Sequence, residues 1–139
     1  MQAQTRVGLI VIGLLAVVFV VMGGQAQAET QEVCTTPALE AAPPSVVVCT
    51  LRSAYAYGTM QVVQLEILDG AGRVAPSNGS PGPNVLPPLS AQSIAHFVVP
   101  TEEFLFSCRV TVLAPLPGYV RLAISRDSTP GYPAQCNPY

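Results

Sequence analysis

The sequence contains no lysine and no tryptophan, and its one histidine is His96. The missing lysine excludes Schiff-base and other lysine-dependent catalysis. All six basic residues are arginines, scattered along a chain of formal charge −2, so nucleic acid is not an expected partner. A single histidine leaves too few ligands for the usual catalytic zinc set, and no cofactor or metal is expected. Only 10% of residues are charged and 50% are hydrophobic, a balance that argues against disorder. Helical patterning is also scarce. After position 28 no stretch of a dozen residues shows a 3.6-residue apolar repeat free of proline. At 139 residues the chain has room for one domain and not for two.

The first 28 residues read as an address. Arg6 is their only charged side chain, Val7 to Met22 form an apolar run, and Ala26-Gln27-Ala28 offers a small-x-small cleavage site. This is the layout of a secretory signal peptide, and the expected cut lies between Ala28 and Glu29. The competing reading is an uncleaved anchor helix, for which the run falls short of a span of about 20 residues. Membrane contact is expected only through this segment, and only if it stays attached. The remaining 29–139 keep all four cysteines and carry five arginines against eight acids, a formal charge of −3. A chain of that size buries about two-thirds of its unfolded surface.

Four cysteines in an exported chain read as disulfides. Cys34, Cys49, Cys108 and Cys136 lack the close spacing of a zinc knuckle or a redox motif. Three connectivities are open. Cys49 and Cys108 sit inside alternating apolar runs, whereas Cys34 and Cys136 lie near the ends among proline and polar residues. That difference favours a core bridge Cys49–Cys108 and a terminal clasp Cys34–Cys136.

Several stretches alternate with period two, the mark of strands with one packed and one wet face. In 46–52, Val47, Cys49 and Leu51 share a face; in 60–68, Val63, Leu65 and Ile67 do; in 104–113, Phe106, Cys108, Val110 and Val112 do; in 119–126, Val120, Leu122 and Ile124 do. A fifth strand is expected over 94–99. Asp69-Gly70-Ala71-Gly72 predicts a turn, and Pro115-Leu116-Pro117-Gly118 predicts a hairpin between the last two long strands. Residues 75–90, rich in Pro, Gly, Ser and Asn, predict a long exposed loop. The fold expected is an all-β, antiparallel immunoglobulin-like β-sandwich with disulfides, preceded by a signal-peptide helix, with a small barrel as the alternative.

The succession Val48-Cys49-Thr50-Leu51, then Val63-Gln64-Leu65-Glu66-Ile67-Leu68-Asp69-Gly70-Ala71-Gly72, then Cys108-Arg109-Val110-Thr111-Val112 and Val120-Arg121-Leu122-Ala123-Ile124, resembles small secreted bacterial proteins with an immunoglobulin- or fibronectin-like sandwich. That group is mostly of unassigned function. The resemblance spans roughly 46–126 and implies no catalytic residues.

Catalytic groups are sparse. A Ser–His–Asp set would need His96 with Ser93 or Ser107, but no Gly-x-Ser-x-Gly elbow exists, and His96 reads as a strand residue at a sheet surface or edge. Glu102 and Glu103 are adjacent, so on an extended chain they point apart and read as a charged turn. Asp69 reads as a turn residue. Asn78-Gly79-Ser80 formally matches a glycosylation acceptor. Arg52, Arg109 and Arg121 fall on outward phases, where neighbouring strands would gather them into a positive patch able to hold an anion or pair with Glu66. Val62, Leu68, Leu105 and Leu113 also fall outward, which as a contiguous patch would mark a partner or self-association surface. The expected role is therefore a secreted or periplasmic, non-enzymatic binding or structural module, with envelope proteins or self-association as partner classes. The alternatives are a fimbria-like subunit assembling by strand exchange and a hydrolase using His96.

Overall fold

A computed structural model describes residues 29–100, 104–127 and 134–138. The expected leader over 1–28 and the Glu102–Glu103 pair lie outside the described residues. Ten strands and no helix are present among the described residues: β1 Thr30–Thr35, β2 Leu39–Glu40, β3 Val46–Ser53, β4 Met60–Asp69, β5 Asn78–Gly79, β6 Asn84–Leu86, β7 Ala91–Phe97, β8 Leu105–Ala114, β9 Val120–Arg126 and β10 Gln135–Pro138. They form two antiparallel sheets. The first runs β10-β1-β8-β4-β6, with β2 also paired to β8; the second runs β5-β7-β3-β9.

The inner faces follow the alternation in the sequence. Val47, Cys49 and Leu51 of β3, Phe106, Cys108, Val110 and Val112 of β8, and Val120, Leu122 and Ile124 of β9 are all buried. Each large aliphatic side chain so buried contributes roughly 1.5–3 kcal/mol relative to exposure. The Cys49–Cys108 disulfide joins β3 to β8 and so ties one sheet to the other through this core. Cys34 and Cys136 are register partners on β1 and β10, and their disulfide clamps the edge of the first sheet.

The structure departs from four expectations. The 115–119 link is no hairpin. β8 already pairs with β4 on one side and with β1 and β2 on the other, so it has no free edge for β9. The chain crosses to the second sheet instead, where β9 pairs with β3. Second, the phase of β4 changes at a bulge between Val62 and Gln64. An extra residue turns the alternation over. Val62, expected outward, is 1% exposed, while Val63, expected inward, is 43% exposed.

Third, residues 75–90 are not an open loop. They carry β5, which pairs with β7, and β6, which pairs with β4, so the segment closes one side of the sandwich by joining both sheets. Asn84 Nδ2 donates to Gln92 Oε1 at 2.5 Å across that seam. Ala75 N donates to Ile67 O, and Leu65 N to Pro81 O, covering the edge of β4 beyond β6. Gly82 makes the close approach possible. Its φ is +103°, and a Cβ there would lie 2.9 Å from Val63 O. Fourth, the fifth expected strand begins earlier, at Ala91, and ends at Phe97.

Candidate functional site

The predicted arginine patch divides between the sheets. Arg109 lies on β8 of the first sheet, where its Nε and Nη2 donate to Glu66 Oε2 at 3.0 and 2.6 Å. Arg52 and Arg121 lie on the second sheet and are direct register partners on β3 and β9. Strand phase placed all three outward correctly, but outward has two opposite senses in a two-layer fold. The outward leucines do not unite either. Leu68 is buried, Leu113 is partly buried, and Leu105 is exposed.

His96 is not at a surface. It is 5% exposed on the inner face of β7, where its Nδ1 lies 2.6 Å from Pro76 O and its ring packs 5.5 Å from that of Phe106. Ser93 and Ser107 sit on the opposite, outward phases of β7 and β8. Asp69 is a turn residue. Its Oδ1 accepts from the amides of Arg73 and Ala71, and its Oδ2 from Arg73 Nε. The Arg73 amide first, aided by the Ala71 amide and the Arg73 guanidinium and opposed by desolvation, holds the Asp69 carboxyl below its ordinary value. Asn78 and Gly79 form the exposed strand β5.

A carboxylate in the core was not foreseen. Glu32 is 1% exposed on β1, and its Oε1 accepts from Gly118 N at 2.8 Å. Its Oε2 has no hydrogen-bond partner among the described residues. Glu32, Cys34 and Cys136 place their ligating atoms within 4.8 Å of one another. Both sulfurs are engaged in the disulfide, so the cluster offers a metal one carboxylate and no thiolate.

The structure also gathers a set of residues that no spacing in the sequence connects. Register runs Ser53↔Val120, Gln61↔Leu113, Met60↔Leu86 and Arg52↔Ala91, so the links 54–59, 87–90 and 115–119 emerge at the same end of the sandwich. They are tied together: Ala54 N donates to Tyr119 O at 2.8 Å, Leu89 N to Tyr55 O at 3.1 Å, and Ser53 N to Ser90 O at 2.9 Å. The buried Glu32 holds the third link from within through Gly118 N, and the exposed Arg121 holds it from outside through Gly118 O. Four prolines, Pro87, Pro88, Pro115 and Pro117, stiffen two of the three links.

These links contain no charged residue and no histidine. They contain Tyr55, Tyr57 and Tyr119, the three tyrosines among the described residues. The rings of Tyr55 and Tyr119 pack with centroids 5.1 Å apart, and Tyr57 projects with 92% of its surface exposed. Leu89 and Leu116 are exposed beside them. Thr30 opposes Ala114, so the exposed Glu29 lies at this end beside the uncharged links, whereas Glu40, Asp69, Arg73, Arg126 and Asp127 gather at the opposite end. Tyrosines on loops tied to a rigid sandwich present broad amphipathic contact area with little rotamer entropy to lose. The signal that could have found this end was a tyrosine near each of two strand ends that the topology brings together, and only the topology makes that visible.

No family profile, curated protein or solved structure matches this chain.

Proposed function

We propose that the chain is an exported, non-enzymatic binding module whose contact surface is the tyrosine-bearing end. The observation that carries this reading is the collection of Tyr55, Tyr57 and Tyr119 on three mutually bonded, uncharged links at one end of the sandwich. Export fits the two disulfides, which persist in the oxidising extracellular or periplasmic space. It fits the leader-like first 28 residues as well. Among the described residues His96 faces the core while Ser93 and Ser107 face outward, an arrangement that supports a binding role over a hydrolase built on His96.

An immunoglobulin-like reading of the fold rests on the inner strands. β3 pairs with β7, β4 pairs with β8, and a disulfide joins β3 to β8 through the core, as the B–E and C–F pairs and the B–F bridge do in that fold. The outer strands depart from it. β1 lies beside β8, where the immunoglobulin fold has its last strand, and β9 lies beside β3. In this reading β1 and β9 have exchanged sheets relative to the first and last strands of that fold, and β10 is added outside β1. Envelope proteins are the partner class we expect for an exported bacterial module.

Strand exchange fits less well. The edge strands β5, β6 and β10 have 2, 3 and 4 residues, short edges of the kind that resist added strands. The longer edge β9 already has Leu122 O taken by Ala134 N.

The test is site-specific photocrosslinking in the source cells, with the crosslinker at Tyr57 on the proposed surface and at Leu105 and Arg73 at the opposite end. Adducts to one partner from position 57 alone are expected. Equal labelling from all three positions, or labelling from 73 or 105 only, refutes the assignment.

A further inference from the structure

We propose that the outer face of the second sheet, at Arg52 and Arg121, binds a doubly charged tetrahedral oxyanion, a phosphate or sulfate group. This site borders the tyrosine end but stands without it, since it rests on a different face and on charge.

Arg52 and Arg121 are directly opposed on neighbouring strands, both exposed. Like charges in that relation destabilise a sheet. Proteins commonly relieve such a pair with an acid on the same face, and this chain does so elsewhere: Arg109 has Glu66, and Arg73 has Asp69. The outward positions of the second sheet hold no acid. They are Val46, Val48, Thr50 and Arg52 on β3, Ala91, Ser93, Ala95 and Phe97 on β7, and Arg121, Ala123 and Ser125 on β9. Among the described residues two guanidiniums thus stand without a counter-charge on one face of a chain whose net charge is negative.

The site has a floor and walls. A pocket of about 250 Å³ is lined by Thr50, Arg52, Arg121, Leu122, Ala123 and Ala134. The space exists because Ala123, opposite Thr50, and Ala134 carry only a methyl group. Arg121 is fixed: its Nη1 donates to Gly118 O at 2.8 Å and to Val120 O at 3.0 Å, leaving its other nitrogens without a partner among the described residues. Arg52 makes no hydrogen bond or ion pair among the described residues, so its donors are also available. Beside them Thr50 Oγ1 and Ser93 Oγ lie 3.0 Å apart, and a hydroxyl in such a pair can turn its proton to a ligand. Two guanidiniums match a charge of −2, and a tetrahedral group offers each of them separate oxygens.

The experiment is an amide NMR titration of the folded, disulfide-intact protein with inorganic phosphate, sulfate and acetate at constant ionic strength. Expected are saturable shifts centred on Thr50, Arg52, Arg121 and Ala123 for phosphate and sulfate, with acetate at least about tenfold weaker. Arg52→Gln and Arg121→Gln should each weaken binding by about tenfold or more, whereas Arg109→Gln should leave it unchanged. Phosphate binding should strengthen as its second proton leaves while sulfate binding stays flat, which separates the two sources. Equal loss in Arg109→Gln, acetate binding as tight as sulfate, or no saturable shift would overturn the proposal. Because the three arginine positions lie on sheet surfaces, their amide spectra also report directly that each variant remains folded. Failure of the crosslinking test at Tyr57 has no bearing on this outcome.

Discussion

Replacing the core bridge, Cys49→Ala with Cys108→Ala, tests the energetic logic of the sandwich most sharply. The two sulfurs join residues 59 apart in sequence, and both cysteines are fully buried. Chain entropy for a loop of that length gives about 4 kcal/mol of stabilisation, acting by restricting the unfolded chain. Alanine keeps each Cβ, so the cavity adds a smaller cost. Against a typical stability of about 5–15 kcal/mol this is a large fraction, and the melting temperature should fall by roughly 15–20 °C. The native sheet should survive, since Leu51, Ile67, Ile94, Phe106, Val110 and Ile124 still fill the interior. Urea unfolding followed by far-ultraviolet circular dichroism should therefore show an unchanged folded spectrum, a lower midpoint and a steeper denaturant slope, because the freed unfolded chain exposes more surface. A loss below about 1 kcal/mol, or an unchanged slope with a changed native spectrum, would refute the placement of the stabilisation in the unfolded state.

Other substitutions probe single features. Gly82→Ala places a Cβ against Val63 O at positive φ and should cost about 1–3 kcal/mol in chemical unfolding, whereas Gly72→Ala, with open space around it, should cost less. Arg109→Ala strips the partner from the buried Glu66 and should cost about 1–3 kcal/mol; Arg73→Ala, at an exposed turn, should change stability by under about 1 kcal/mol. Arg52→Gln should stabilise the ligand-free protein by a few tenths of a kcal/mol, roughly, by removing a like-charge neighbour. Asp69 is depressed in the folded state, so it contributes stability above its unfolded value that is lost as pH falls through its folded value. Asp69→Asn should be less stable near neutrality and should lose less stability on acidification, measured by urea midpoints at stepped pH.

The long strands were legible because their packing is periodic. β3, β8 and β9 alternate without interruption, and the burial of Val47, Cys49, Leu51, Val110 and Ile124 follows their phase. The same phase singled out Cys49 and Cys108 for the core, and the position of Cys34 and Cys136 near the two ends paired those, as in the structure. Legibility ended wherever a feature depended on a remote partner. The bulge at Val63 is stabilised by the 81–82 backbone lying against it, and no local signal marks it. β5 and β6 are too short to show a period, and β1 hides because its inward Glu32 breaks the apolar pattern. Alternation assigns a residue to an inside or an outside, but not to a sheet. That is why Arg109 separated from Arg52 and Arg121, and why the 115–119 link crossed layers. The tyrosine end was invisible for the same reason, since Tyr55 and Tyr119 meet only through the strand order.

Sulfur joins the two sheets through their shared interior and clamps the edge of one. Peptide mapping under non-reducing conditions measures it directly. With no lysine, cleavage at arginine alone leaves Cys34 and Cys49 on one fragment, so cleavage after glutamate must be added, separating 33–40, 41–52, 104–109 and 127–139. Fragment 41–52 should be linked to 104–109 and 33–40 to 127–139, with no free thiol. A link between 33–40 and 41–52, a crossed pairing, or free thiols in the protein folded under oxidising conditions would refute this pairing.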